Sequence, residues 1–332
     1  MAYNCWQFIP LFNGEERKQS KFVNIHIIGV PCDLGASRQG CNKAPDAIRY
    51  AYLDKDNPHD ELDLSKRLRQ LGHAVTDEGN LAVSPAETPP HCNPRLKNLE
   101  PILAVCHKLA EVVEHTCRAD KFPLIIGGDH SIALGSVKGV ARVHGPIGVL
   151  WIDTHGDFNT DQTTLSGNIH GMPLAALTGY GDSRLVELGG SGPAVDPAQV
   201  AVVGARDLDC EEQKLLRKAG VHVFTMKDID RLGFAATMAQ ALEFTTNGTR
   251  GVHVSFDLDA LDPIEAPGVG TRVPGGLTYR EARLAMELIA DSGKLTSLDI
   301  VEDNPTLDED NRTSKLAVKL ILSALGKSLF YC

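Results

Sequence analysis

Residues 151–160 read WIDTHGDFNT, so Asp153, His155 and Asp157 stand two apart directly behind the apolar run IGVL. Alternate residues of an extended chain point the same way, and all three can face one point. Asp257 and Asp259 end the segment GVHVSFDLD with the same spacing, and Asp129 and His130 end PLIIGG. Each group alone reads equally well as a charged strand end or as a turn in which Asp bonds its own backbone. Three strands delivering Asp or His to one edge point to chemistry instead. Carboxylates crowded around a point repel one another and resist ionisation unless a cation holds them. His130, Asp153, His155, Asp157, Asp257 and Asp259 are therefore candidate metal ligands. Four Asp and two His are too many donors for one tetrahedral zinc and suit two octahedral-leaning ions that share carboxylates. A donor set rich in oxygen with some imidazole favours manganese and leaves nickel, cobalt and iron open. Two ions about 3.5–4 Å apart can hold a bridging water as hydroxide near neutral pH, a nucleophile for hydrolysis.

These groups must be carried by elements that converge. Apolar runs rich in β-branched residues recur at FVNIHIIGV, HAVTDEG, PLIIGG, IGVLWID, VAVVGA, VHVFTM, GVHVSFDLD and LTSLDIV. Most are apolar almost throughout, as strands covered on both faces must be. Between them lie helical patterns, with apolar residues three and four apart in NLEPILAVCHKLAEVVEHTC, CEEQKLLRKAG, TYREARLAMELIADSG and TSKLAVKLILSALG. The alternation predicts α/β architecture, a single domain with a mostly parallel, roughly eight-stranded sheet covered by helices on both faces. Ligands gather at the carboxyl ends of such strands. The Pro-rich stretch LAVSPAETPPHCNPRL is read as a surface loop rather than a domain boundary, because the same rhythm continues beyond it. Residues 1–21 are expected to form an arm ahead of a catalytic domain spanning 22–332.

The totals exclude other classes. A formal charge of −10 argues against a nucleic-acid partner, whose affinity comes from Lys and Arg meeting phosphates. Eight Cys without a CxxC or a regular framework read as reduced thiols in a cytoplasmic protein. The N-terminus lacks a basic segment followed by a long apolar stretch, so no secretory signal is expected. No run approaches the roughly 18 apolar residues needed to cross a bilayer, so no membrane partner is expected either.

Four motifs in order, GGDHS at 127–131, DTHGDFN at 153–159, SGNIHGMP at 166–173 and SFDLDALDP at 255–263, resemble the ureohydrolase family, and within it the arginases. The resemblance runs from about residue 24 to the C-terminus and implies an arginase-like three-layer fold. It implies two manganese ions per subunit, one held by His130, Asp153, Asp157 and Asp257, the other by Asp153, His155, Asp257 and Asp259, with Asp153 and Asp257 bridging. It implies a homotrimer or homohexamer that hydrolyses L-arginine to L-ornithine and urea. His170 would serve the leaving amine as proton shuttle and Glu302 would pair with the guanidinium. With Asp157, which is also a metal ligand, they form the implied catalytic set. Asn159, Thr164 and Ser166 would contact the substrate α-carboxylate, Asp209 the α-amino group, and Thr271 would lie near the guanidinium. A relative acting on agmatine has no carboxylate to bind, so arginine is favoured over agmatine, and Asn159 with Ser166 is read as weighing against guanidinobutyrate and formiminoglutamate too. A complete ligand set weighs against an inactive binding homologue. Three departures stand out: Thr154 where Ala is usual, Arg272 where Pro is common and Asp303 where Val is common. Their matched charges predict that Arg272 and Asp303 pair.

Overall fold

All eight apolar segments become strands, and every neighbouring pair is parallel, in a computed structural model that describes residues 22–51, 63–85, 93–190 and 192–328. The strands are β1 Asn24–Gly29, β2 Ala74–Asn80, β3 Phe122–Ile126, β4 Gly148–Ile152, β5 Val200–Ala205, β6 His222–Thr225, β7 Val252–Asp257 and β8 Leu295–Val301. Their order across the sheet is β2-β1-β3-β8-β7-β4-β5-β6. The central strands β3, β8, β7 and β4 thus lie side by side although β4 and β7 are a hundred residues apart.

Strand pleating sends alternate residues to opposite faces. On β4, Val149 and Trp151 join one buried cluster while Leu150 and Ile152 join the other. Eleven helices lie among the described residues: α1 Ala44–Arg49, α2 Leu64–Gln70, α3 Leu99–Arg118, α4 Ala133–His144, α5 Pro173–Leu177, α6 Ser183–Val186, α7 Cys210–Ala219, α8 Met226–Leu232, α9 Phe234–Thr246, α10 Tyr279–Ser292 and α11 Arg312–Ala324. Helices α3 to α7 bury their apolar residues in the Trp151 cluster. Helices α1, α2 and α8 to α11 bury theirs in the Leu150 cluster. Three layers result, helices over a sheet over helices, as the sequence predicts.

The four helical patterns named from sequence correspond to α3, α7, α10 and α11. The segment VHVFTM is strand only to Thr225, whose side chain caps α8 in a capping box with Asp228. The strands on either side of the Pro-rich stretch share one sheet, so no domain boundary lies there. Its residues 86–92 and the arm, 1–21, lie outside the described residues.

Candidate metal centre and active site

The sheet delivers the predicted ligands to its carboxyl edge. Asp129 and His130 follow β3, Asp153 to Asp157 follow β4, Asp257 ends β7 with Asp259 in the turn beyond it, and Glu302 follows β8. The turn after β3 is tight because Gly128 lies against β1's exit, where an added Cβ would stand 1.7 Å from the Cys32 carbonyl oxygen. Asp129 fixes that turn from within, accepting the backbone N–H of Gly35 at 2.8 Å and of Ser131 at 3.0 Å.

Two groups of donors form. His130, Asp153 and Asp257 offer atoms within 4.8 Å of one another, and so do Asp153, His155 and Asp259. Asp153 belongs to both. His130 Nδ1 lies 3.2 Å from Asp153 Oδ2, 3.1 Å from Asp157 Oδ2 and 3.2 Å from Asp257 Oδ2, so Asp157 joins the first group. His155 Nδ1 lies 3.4 Å from Asp153 Oδ1 and 3.2 Å from Asp259 Oδ2. Asp257 sits with the first group, and its Oδ1 accepts the Asp259 N–H at 2.7 Å.

Surrounding residues hold these donors in place. The His130 ring stacks on Trp151 with centroids 4.0 Å apart, and its Nε2 meets Ser255 Oγ at 2.9 Å. The Trp151 indole N–H donates to Asp153 Oδ2 at 2.8 Å and the His155 backbone N–H to Asp153 Oδ1 at 2.7 Å. Thr154, the first departure, is buried and donates its hydroxyl to the Asp259 carbonyl at 2.6 Å, tying the two ligand segments together. Thr271 donates to Asp259 Oδ2 at 2.8 Å.

The donor set fits a cation. His130 Nδ1 is buried, faces three carboxylates and has no hydrogen-bond partner. Burial disfavours charge at every member: it pushes the Asp157 carboxyl up to about 6, helped by the Asp153 charge, and raises Asp257 with help from Asp259 and Asp153. For His130 and His155 burial acts in the opposite sense, but the facing aspartates outweigh it and hold both imidazoles well above their ordinary range. Asp153 is lowered despite burial because it faces both imidazoles. The carboxylates thus draw positive charge to this point, the role a divalent ion fills. Asp157 adopts φ 46, a left-handed conformation rare outside glycine, and Glu302 does so at φ 65.

Above the ligands opens a cavity of about 170 Å³ lined by His155, Asp157, Asn159, His170, Asp207, Asp209, Glu212, Asp257, Asp259 and Thr271. His170 Nδ1 lies 2.9 Å from Glu302 Oε1, which also accepts the His130 backbone N–H at 2.9 Å. Burial lowers the His170 imidazole, but the Glu302 carboxylate and its hydrogen bond overcome that and raise it to about 9. Glu302 is buried behind His170, with the Cys41 thiol 3.6 Å from its Oε2. Asn159 Nδ2 donates to Asp209 Oδ2 at 3.0 Å. Thr164 and Ser166 sit on the adjoining loop rather than on the cavity wall, accepting the N–H groups of Gly167 and Asn168.

Two acidic wall residues were not singled out from sequence, Asp207 and Glu212. Glu212 Oε1 accepts the Phe158 N–H at 2.9 Å and so fixes the chain between Asp157 and Asn159, while Oε2 meets the Asp209 N–H at 3.2 Å. Burial pushes Glu212 up to about 7. The D-x-x-E spacing of Asp209 and Glu212 at the start of α7 is a capping-box signature and would have flagged it.

The predicted Arg272–Asp303 pair does not form. Arg272 is exposed and donates to the Leu307 carbonyl at 2.8 Å, whereas Asp303 is fully buried and accepts the Ser314 hydroxyl at 2.6 Å. Matched charge in sequence did not bring together two side chains of such different depth.

The family model described as Arginase family matches residues 23–326. This chain belongs to the arginase family. It is 46% identical over 305 residues to an arginase of Bacillus subtilis, covering 92% of this chain and 98% of that one. The solved native arginase of Bacillus caldovelox at pH 5.6 superposes with a TM-score of 0.87 at 44% identity, covering 93% of this chain and all, 100%, of that one. An Entamoeba histolytica arginase solved in complex with L-ornithine superposes at 0.81 with 30% identity, covering 92% of this chain and 99% of that one. The arginase-family chain is thus a single-domain hydrolase with a buried His and Asp centre suited to metal.

Proposed function

We propose that this chain hydrolyses L-arginine to L-ornithine and urea with two manganese ions per subunit. The observation that carries the reading is Asp153 shared between two donor groups at the floor of one acidic cavity. His130, Asp153, Asp157 and Asp257 would hold one ion, and Asp153, His155, Asp257 and Asp259 the other, with Asp153 and Asp257 bridging. When bound, the ions supply Lewis acidity and a water activated near neutral pH.

The chain's own residues supply the rest. Asp207 and Asp209 make the wall acidic, which draws in a substrate carrying guanidinium and ammonium groups. His170, held up at about 9, carries its proton at neutral pH and gives it to the departing ornithine amine. Glu302 keeps that imidazole oriented and, as a carboxylate, is the partner for the planar guanidinium. Asn159, Thr164 and Ser166 bind the α-carboxylate, Asp209 the α-amino group, and Thr271 steadies Asp259 beside the guanidinium. The enzyme works in the cytoplasm as a homotrimer or homohexamer, with residues 1–21 as an arm ahead of the catalytic domain.

Among the alternative substrates, agmatine lacks the α-carboxylate that Asn159 and Ser166 would bind, and guanidinobutyrate and formiminoglutamate, though carboxylates, lack the free α-amino group that Asp209 would bind. An inactive binding homologue is disfavoured by the intact donor set. Urea release from L-arginine against added manganese, with agmatine as competitor, tests the reading. Saturable, manganese-dependent release with L-arginine preferred is expected; preference for agmatine, or no urea with manganese bound, would overturn it.

A further inference from the structure

The loop 159–168, which carries Asn159, Thr164 and Ser166, is held internally only by short turns. Thr163 Oγ1 donates to Asn159 Oδ1, Thr164 Oγ1 accepts the Gly167 N–H, and Leu165 is 87% exposed. Its ends are tied by Asn159 to Asp209 and by Asn168 to Ser37, and its middle is anchored from the segment just ahead of α3. Arg95 Nη1 lies 3.0 Å from the carbonyl oxygens of both Asp161 and Gln162. The Lys97 backbone N–H donates to the Gly167 carbonyl at 3.0 Å, and Lys97 Nζ lies 3.4 Å from Asn168 Oδ1. Gly167 has φ 76 and docks so closely that a Cβ there would stand 1.9 Å from the Pro94 carbonyl oxygen. Pro94 to Lys97 therefore grip the loop at its middle and at its end.

We propose that Arg95 is a positioning residue that sets selectivity for substrates with an α-carboxylate. Pinning Asp161 and Gln162 fixes the separation between Asn159 on one arm of the loop and Thr164 and Ser166 on the other. A guanidinium suits this task because its charge is permanent and its donors are held in a rigid plane. Among the described residues Arg95 supplies the hydrogen bonds to those two carbonyls, and an Ω-shaped surface loop without a core of its own takes its geometry from its anchors. The inference rests on the reading that this loop binds the carboxylate.

Arg95 is exposed, so Arg95→Ala should fold and load metal as the parent does. Its KM for L-arginine should rise about tenfold, the factor for one lost charged hydrogen bond, with kcat nearly unchanged. Agmatine, which shares the guanidinium and lacks the carboxylate, should be affected by less than about twofold, read by turnover or by its inhibition constant. Arg95→Lys should recover part of the loss. An equal loss on both compounds, a fall in kcat at constant KM, or parental constants would overturn the proposal. Ser166→Ala serves as the companion. If it leaves the preference for L-arginine intact while Arg95→Ala lowers it, the Ser166 contact is misassigned and the anchor stands. If Ser166→Ala lowers the preference and Arg95→Ala does not, the anchor alone fails.

Discussion

Asp153 and His170 stand close to one cavity yet should fail differently when altered. Asp153 serves both donor groups, and each of its oxygens also accepts a hydrogen bond, from Trp151 and from the His155 backbone. An amide in its place removes the charge and turns one acceptor into a donor. Asp153→Asn should therefore lower bound manganese and turnover together, turnover by at least about a hundredfold, the upper end of the loss from disturbing a ligand's outer partner. Near-parental turnover would show that Asp153 does not bridge. His170→Asn should lower the rate by roughly 10²–10⁴, the range for a lost general acid, with metal content unchanged. Loss of metal instead would make His170 a ligand. The donors were legible in sequence because Asp and His follow directly on apolar strands, although Asp153 to Asp157 lie beyond the end of β4, where strand alternation no longer aims them. Glu212 was legible only as a helix cap, since its hold on the Phe158 backbone exists only once the start of α7 meets the loop after β4.

At the scale of elements, Asp303 joins the end of β8 to the start of α11 through Ser314. Burial, aided by the Asp308 charge, outweighs that hydrogen bond and pushes the carboxyl up to about 8. In the unfolded chain the same group titrates near its ordinary value of about 3.9. Between those two values the unfolded chain has released the proton and the folded chain still holds it. Folding stability from this group therefore falls as pH rises from about 4 to about 8, and is level outside that window. Asp303→Asn keeps the shape and removes the penalty. It should gain on the order of 2–4 kcal/mol at neutral pH and nothing near pH 4, read from denaturant midpoints. An equal shift at both pH values would mean that packing, not ionisation, sets the cost. The inner strands were legible because burial on both faces leaves a continuous apolar signature, whereas the edge strand β2 is exposed from Thr76 to Glu78. Helix α4 was not legible. Every residue from Ala133 to Val140 is buried, the polar Ser136 and Lys138 included, and Gly135 and Gly139 weaken its propensity. Those glycines make sense only beside α3, where a Cβ at Gly135 would stand 2.6 Å from the Cys106 carbonyl oxygen.

For the molecule as a whole, the centre exists only when the sheet does. Its donors come from the ends of β3, β4 and β7, and the sheet order makes β4 the neighbour of β7 and leaves only β8 between β7 and β3, across long stretches of chain. The unfolded chain has no equivalent site, so metal binds the folded state and stabilises it by mass action. With free manganese at about a hundred times the dissociation constant, one site contributes about 2.7 kcal/mol. Unfolding entropy near 2.1 cal/mol/K per residue over 332 residues is about 0.7 kcal/mol/K, so chelation should lower Tm by about 4 °C per site. Protons compete for the same imidazole and carboxylate donors, so the difference between loaded and chelated protein should shrink as pH falls from about 8 towards about 5. Differential scanning with and without manganese at both pH values decides it. A Tm indifferent to manganese, or one raised equally at both, would mean that the ion is not held by these six side chains.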